Sequence, residues 1–586
     1  MQLQLRKREI TLLQTWMDRL IADQITSPNP RFDGGALCPS CLHFHGRVID
    51  SIYPLMTLAD LTGDERYRIS AERFFIWGNN LYCDDHSYYN DAQQTWNKTT
   101  IFFAQSLELA LTEHGQILSP QVYDTWITRL REISRWMFDN FTKSDSANTN
   151  YHAACAAAMA MCGQFLNEPR YLERARELAE FCQEHITKDN FLFGEGNPRD
   201  FITAKGCYSV DVGYSLEETL PNLLEYAVTM ADEKLYARLV HVGQTYLHFL
   251  LPDGGMDNSF GTRNFKWTYW GSRTSDGALA AFTRLSQRDA AFGSAVDAQL
   301  TLLERCTHDG YLYGGPDYAA HGEEPCLHHL FTHAKVLAAC IDEPTAKRRL
   351  GKATQLLGHW HFDAVNTSVW RTPLVYASIT ATDYAHFEGG HSVGGVMGML
   401  WHRAYGPILA SGITDTTSRE PLNTQLSRRK ESLVSSAWRW SYHEKGQDYS
   451  NVYDLMAQMV TDKTGAAVYF NFANKHFERL PGARGQIRYE LLDNRITWRL
   501  RTSVAKPITL ILPICKRENW QFIQKDNGVR ITKGETQLVI SSSASLKCVK
   551  PGFALAPGFE LCVLYFELAS NANESLTFEV TPAHQN

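Results

Sequence analysis

No run in this sequence is apolar for long enough to cross a bilayer as a helix, which takes about 20 residues, so no membrane partner is expected. Positive charge is not in excess. The 57 Lys and Arg against 64 Asp and Glu leave a formal net charge of -7, which gives no footing for a nucleic-acid partner. Cysteines do not fall into pairs. There are 13, scattered, with Cys155, Cys162, Cys182 and Cys340 inside apolar helical pattern. That fits reduced core thiols in a cytosolic protein better than a disulfide framework. No secretory pattern opens the chain, because Met1-Gln-Leu-Gln-Leu-Arg-Lys-Arg-Glu9 is charged and then amphipathic. The expected compartment is therefore the cytoplasm; a leader outside this sequence would move the protein to the periplasm or out of the cell. Missing too are GxSxG, a P-loop, a dinucleotide fingerprint and His-Glu-x-x-His, which sets aside the chemistries those motifs carry.

What is present is an ordinary globular mixture, 44% hydrophobic and 21% charged over 586 residues, enough for more than one domain. From residue 5 to about 360 the apolar residues recur at helical spacing, as in Leu12, Leu13, Trp16, Met17 and Leu20. A unit recurs within this stretch: a helix, a tight polar turn, a tyrosine, and a second helix. It is read at Leu58-Ala-Asp-Leu-Thr-Gly-Asp-Glu-Arg-Tyr67, at Cys162-Gly-Gln-Phe-Leu-Asn-Glu-Pro-Arg-Tyr171 and at Tyr226-Ala-Val-Thr-Met-Ala-Asp-Glu-Lys-Leu-Tyr236. Helical hairpins of this kind pack side by side, and about a dozen antiparallel helices predict an (α/α) toroid with its long loops gathered at one mouth. Later segments, such as Ile496-Thr-Trp-Arg-Leu-Arg501 and Leu561-Cys-Val-Leu-Tyr-Phe566, are of strand length and are separated by turn residues. The fold expected is thus α followed by β: a toroid over 1–365, then an antiparallel β-sandwich over 366–586, with a junction segment at 366–430.

The longest glycine-rich loop, 253–277, carries Arg263, Lys266, Trp267, Tyr269, Trp270 and Arg273. Flat rings suit the apolar faces of a sugar, and arginine forks suit carboxylates. Read as structure alone, the same loop is a packed connection with buried tryptophans. Asn150, Tyr151 and His152 open a helix of small residues, where an asparagine either caps the helix or holds a carboxylate. Tyr214 lies just before another helix, beside Asp211, Glu217 and Glu218. Pro325-Cys-Leu-His-His-Leu-Phe-Thr-His333 places His329 and His333 on one helix face, suited to proton transfer or to a divalent metal. His386, Glu388 and His391 cluster near the domain junction, and His43, His45 and Arg47 cluster early in the chain. Cys38-Pro-Ser-Cys41 has metal-knuckle spacing, but no second such pair follows it, so the sequence offers half a site.

Taken together, these clusters resemble the polysaccharide lyases built of a toroid and a β-sandwich, the heparinase and alginate lyase type, with rhamnose–glucuronate lyases as closer kin. Asn150, Tyr151 and His152 look like the asparagine-bearing helix start of that group. Tyr214 looks like its tyrosine, and His329 or His333 like its histidine. The resemblance implies β-elimination on a uronic-acid-containing oligo- or polysaccharide, with no cofactor required. Asn150 and the arginines would neutralise the carboxylate, and Tyr214, His329, His152 or His333 would carry the proton. The 253–277 loop and the His-His-x-x-x-His segment depart from the pattern of the best-known members. Two other readings stand beside this one. A glycoside hydrolase such as a β-glucuronidase would need two carboxylates, for which Asp211, Asp257, Asp276, Glu324 and Glu388 are available. A non-catalytic glycan-binding protein would have little use for so many His and Tyr residues.

Overall fold

Two kinds of helix alternate along the N-terminal part of the chain. In the computed structural model, which describes residues 2–92, 95–196, 198–344, 348–349, 356–385, 392–416, 427–516 and 520–582, twelve helices have seven residues or more. They are α1 (Gln2–Asp23), α2 (Ile52–Thr62), α3 (Glu65–Trp77), α4 (Thr100–His114), α5 (Pro120–Asn140) and α6 (Thr149–Phe165). They continue with α7 (Pro169–Glu184), α8 (Leu220–Thr229), α9 (Glu233–Leu247), α10 (Leu279–Leu285), α11 (Ala290–Arg305) and α12 (Leu327–Asp342). Odd-numbered helices are amphipathic. α7, for example, buries Tyr171, Ala175, Leu178, Ala179 and Cys182, one stripe at helical spacing. Even-numbered helices are richer in apolar residues, and α6 is apolar nearly all round: it buries Ala153, Ala154, Ala156, Ala157, Ala158 and Ala160 on every side. The even helices therefore form an inner ring. α2 touches α4, α4 touches α6, and so on through α8, α10 and α12, which returns to α2. The expected toroid is closed.

The recurring turn–tyrosine unit is the connection from an inner to an outer helix. Gly63 takes φ 70° beyond α2, and the Asp64 side chain then accepts from Arg66 N at 3.0 Å to start α3. Pro169 starts α7 after α6, and Asp232 caps α9 through Leu235 N at 2.9 Å. Tyr67, Tyr171 and Tyr236 are buried behind these turns.

The texture changes at residue 358. Strands between Gly358 and Ala410 form a five-stranded antiparallel sheet, and thirteen strands between Arg439 and Pro582 form a second. Four of these strands, Thr367–Arg371, Val375–Thr380, Val396–His402 and Gly406–Ala410, fall within the expected junction, 366–430, of which residues 386–391 and 417–426 lie outside the described residues. Alternation is absent from its central strands because both faces are covered. Val375–Thr380 and Val396–His402 are buried at every position. Tyr376, Met399 and Trp401 pack on the helical core, while Ala377, Ile379, Met397 and Leu400 pack on the large sheet. The Tyr376 hydroxyl also donates to Asp257 Oδ2 at 2.9 Å, so this sheet clamps the 253–277 loop from outside the ring.

Candidate active site

The connections that enter the inner helices meet at one end of the ring, around a cavity of about 470 Å³. Arg47 comes from the turn before α2; Trp96 and Lys98 precede α4. Asn148, Asn150 and Tyr151 open α6, and Tyr214 and Glu218 precede α8. Arg263, Lys266 and Thr274 belong to the long loop before α10, and His328 sits in the first turn of α12. The inner helices thus aim their N-terminal ends at this space. Unpaired backbone N–H groups and the positive dipole ends favour an anion there. Four cations, Arg47, Lys98, Arg263 and Lys266, add to that field, and Trp96 and Tyr151 supply rings at its edge.

Tyr214 is the most closely held group. Asp211 caps its short helical turn by accepting from Tyr214 N at 3.0 Å. The phenolic oxygen lies 2.6 Å from Thr274 Oγ1 and receives a hydrogen bond from Lys266 Nζ at 3.2 Å. The Arg263 guanidinium stands over the ring, 4.0 Å from its centre. Arg263 is held in turn by Glu195, whose Oε2 is 3.5 Å from Nη1, and Glu195 Oε1 accepts from Asn150 N at 2.9 Å. Burial raises the Glu195 carboxyl to about 7, against the pull of Arg263. The Asn150 side chain is buried, and its Oδ1 has no partner within the chain. A buried amide left open on a cavity is a binding group for a ligand.

The opposite wall is ionic. Arg47 donates to Asp50 Oδ2 at 3.0 Å and to Asp276 Oδ1 at 2.6 Å, and lies 4.0 Å from Glu218 Oε1. Burial, then the neighbouring Asp276, pushes the Glu218 carboxyl well above its ordinary range. Glu218 is the one carboxylate among the described residues lining the cavity. Of the acids considered for a hydrolase, Glu388 lies outside the described residues, Glu324 accepts from Arg428 away from the cavity, and the other three are otherwise engaged. Asp211 accepts from Asn258 Nδ2 and Arg263 N, Asp257 from Tyr376, and Asp276 from Arg47.

Several residues expected at the site are elsewhere. On α12 it is His328 that faces the cavity. His329 and His333 turn away and pack edge-on against Trp270, with ring centres 5.4 and 4.5 Å away. Successive helix positions differ by about 100°, so adjacent histidines cannot share a target. Burial holds His328 and His329 well below 6.5 and His333 at about 4, so all three are neutral imidazoles at neutral pH. His152 is packed between Phe141 and Phe181 beneath the start of α6 and is pushed by burial to about 4. Trp267, Tyr269 and Trp270 are buried, and their polar atoms bond Met256 O, Asp253 and Tyr313 O. They are core rings, not a sugar platform. His386, Glu388 and His391 lie outside the described residues.

Arg273 is also structural. It is 1% exposed, and its guanidinium donates to the Tyr318 hydroxyl and to Leu555 O, tying the loop to the β domain. Arg273→Ala leaves those acceptors buried and is expected to destabilise the fold by about 3 kcal/mol. Thermal melts check this. KM of the folded variant should stay within about threefold of the parent, since the side chain does not line the cavity.

Trp96, Lys98 and Glu195 were not singled out from the sequence, and Glu218 and His328 were noted there, beside Tyr214 and His329, without being given a role. The available signal was positional: all but Glu195 stand at or just before the start of an inner helix, or within its first turns.

Residues 13–359 match the family described as Ulvan lyase N-terminal domain, and residues 360–582 match Ulvan lyase C-terminal domain. A broad-specificity ulvan lyase of Formosa agariphila is 32% identical over 585 residues, covering 95% of this chain and 91% of the relative. Among solved structures, heparinase III superposes with a TM-score of 0.53 at 12% identity, over 91% of this chain and 76% of that one. Chondroitin AC lyase of Streptomyces coelicolor A3, in complex with chondroitin sulphate, gives 0.52 at 13%, over 99% and 80%. Those two likenesses are of fold. Together with the family match along both domains and a cavity ringed by cations, a tyrosine and an asparagine, they give one answer: the chain belongs to the ulvan lyase family and is a polysaccharide lyase, built as a helical toroid followed by an antiparallel β domain.

Proposed function

We propose that the cavity binds a uronate unit of ulvan, and that Tyr214 and His328 carry the proton that elimination moves from C5 to the leaving oxygen at C4. The observation that carries this reading is the setting of Tyr214. Its hydroxyl is bonded to Thr274 and Lys266, and Arg263 lies over its ring. Two adjacent cations stabilise a phenolate, the form of tyrosine that takes a proton.

The C5 proton is poorly acidic while the neighbouring carboxylate is anionic. Neutralising that carboxylate and the enolate that develops from it is the main electrostatic task, usually worth several kcal/mol. Arg263 is placed for it, and Asn150, at a helix start on the cavity wall, can donate from Nδ2 to the same carboxylate. Glu218, whose carboxyl burial pushes well above its ordinary range, faces the same space. His328 is a neutral imidazole on the cavity wall and serves as the second proton carrier. Trp96 and Tyr151, edge to face at 5.7 Å, offer the ring surface that the loop tryptophans do not. These residues of the chain do the neutralising, so the elimination as proposed requires no cofactor.

The test is incubation with ulvan while following ultraviolet absorbance. Elimination leaves an unsaturated uronate at the new non-reducing end, which absorbs; hydrolysis yields reducing ends without that chromophore. Absorbing product from ulvan, with none from a neutral polysaccharide, is expected. Reducing ends without absorbance would overturn the proposal.

A further inference from the structure

Cys38, Cys41, His45 and Cys326 converge although Cys326 lies 281 positions after His45. All four are buried, and one ligand atom from each lies within 4.8 Å of the other three. Cys38 Sγ is 3.7 Å from Cys326 Sγ, and Cys41 Sγ is 3.1 Å from His45 Nε2. The first distance is not that of a disulfide, since a sulfur–sulfur bond is about 2.05 Å. The spacing suits a tetrahedral ion instead. Two thiolates at Zn–S ~2.3 Å about one centre stand about 3.8 Å apart.

The surroundings are those of a metal site. Cys38 and Cys41 form a tight turn in which Leu42 N donates to Cys38 O at 3.0 Å and Leu42 takes φ 57°. Leu327 N points at Cys38 Sγ from 3.4 Å, a backbone donor to the sulfur. Cys326 is the N-cap of α12, where the positive helix end favours a thiolate. His45 directs Nε2 into the cluster and its other ring nitrogen toward Asp91 Oδ2, 3.8 Å away, the carboxylate–histidine order common at metal sites.

We propose that Cys38, Cys41, His45 and Cys326 bind one zinc ion as a closed structural site. Three sulfurs and one imidazole are a soft donor set that selects zinc over magnesium or calcium, and four protein ligands complete the tetrahedron. The position explains the purpose. Residues 38–45 lead into α2 and Cys326 begins α12, and these two helices are the seam at which the inner ring closes. The ion cross-links the seam. It also fixes two residues of the cavity wall, since Arg47 follows His45 by two positions and His328 follows Cys326 by two. The site stands whether or not the proton carriers are assigned correctly.

The purified full-length enzyme, made in zinc-supplemented medium and dialysed without chelator, is to be analysed by inductively coupled plasma mass spectrometry. One zinc per chain is expected. Growth with cobalt in place of zinc should give a protein with thiolate-to-cobalt charge-transfer absorption and the visible bands of tetrahedral cobalt. Cys41→Ser should lose the metal and melt at a lower temperature, while Cys548→Ser, a half-buried thiol outside the cluster, should retain it. If Cys41→Ser fails to fold, the metal content and cobalt spectrum of the parent still decide. Folded parent enzyme without zinc, a Cys38–Cys326 disulfide by peptide mapping, or full zinc in folded Cys41→Ser would each overturn the proposal.

Discussion

Tyr214→Phe is expected to lower turnover on ulvan by about a hundredfold or more, the usual worth of a positioned proton carrier. The ring and its packing stay, and only the hydroxyl leaves. Thr274 Oγ1 and Lys266 Nζ lose one partner each, a loss of about 1 kcal/mol in a site that a ligand or water can enter. For a chain of this size that moves the melting temperature by only about 1 °C. Saturating-substrate kinetics with a parallel melt therefore separate chemistry from folding. Near-parent turnover in a normally folded variant would remove Tyr214 from the mechanism.

The second large effect is at His328. His328→Gln keeps a polar side chain of similar reach but carries no proton at neutral pH, so turnover is expected to fall by about a hundredfold or more. The comparison that gives the result its meaning is His329→Gln. His329 packs on Trp270 away from the cavity, so its substitution should lower the melting temperature yet leave kcat of the folded enzyme within about threefold of the parent. Equal losses in kcat from both variants would show that the helix, rather than one imidazole, was disturbed. Loss at His329 alone would reverse the assignment.

The histidines also show where a sequence stops being legible. Period and composition place a helix on 327–342, and the structure has it there. They place His329 and His333 on one face, and both rings do meet Trp270. What they cannot supply is which face looks into the ring. That depends on how α12 is rotated against α10 and against α2, the latter from the far end of the helical domain. The aromatic loop is a similar case. Its composition suited both a sugar platform and a packed core, and burial divides it: Arg263 and Lys266 reach the cavity, while Trp267, Tyr269, Trp270 and Arg273 hold the loop in place.

The order of helices and strands and the turn–tyrosine hairpins followed from the sequence by itself, through local signals of apolar period and turn chemistry. The enzyme class came from the resemblance of its short motifs to a lyase family, beside which a hydrolase still stood. The proximity of Asn150, Tyr214, Arg263, Lys266 and His328 around one cavity was decided by the closed ring, which brings the starts of the inner helices to one end. The even burial of 375–402 arose because that sheet is covered by the helical core on one side and by the large sheet on the other. The cysteine knuckle read as half a site because its remaining ligands are of two kinds. His45 is near in sequence, but Cys326 arrives only when α12 closes against α2, and closure between distant segments leaves no periodic trace in a single chain.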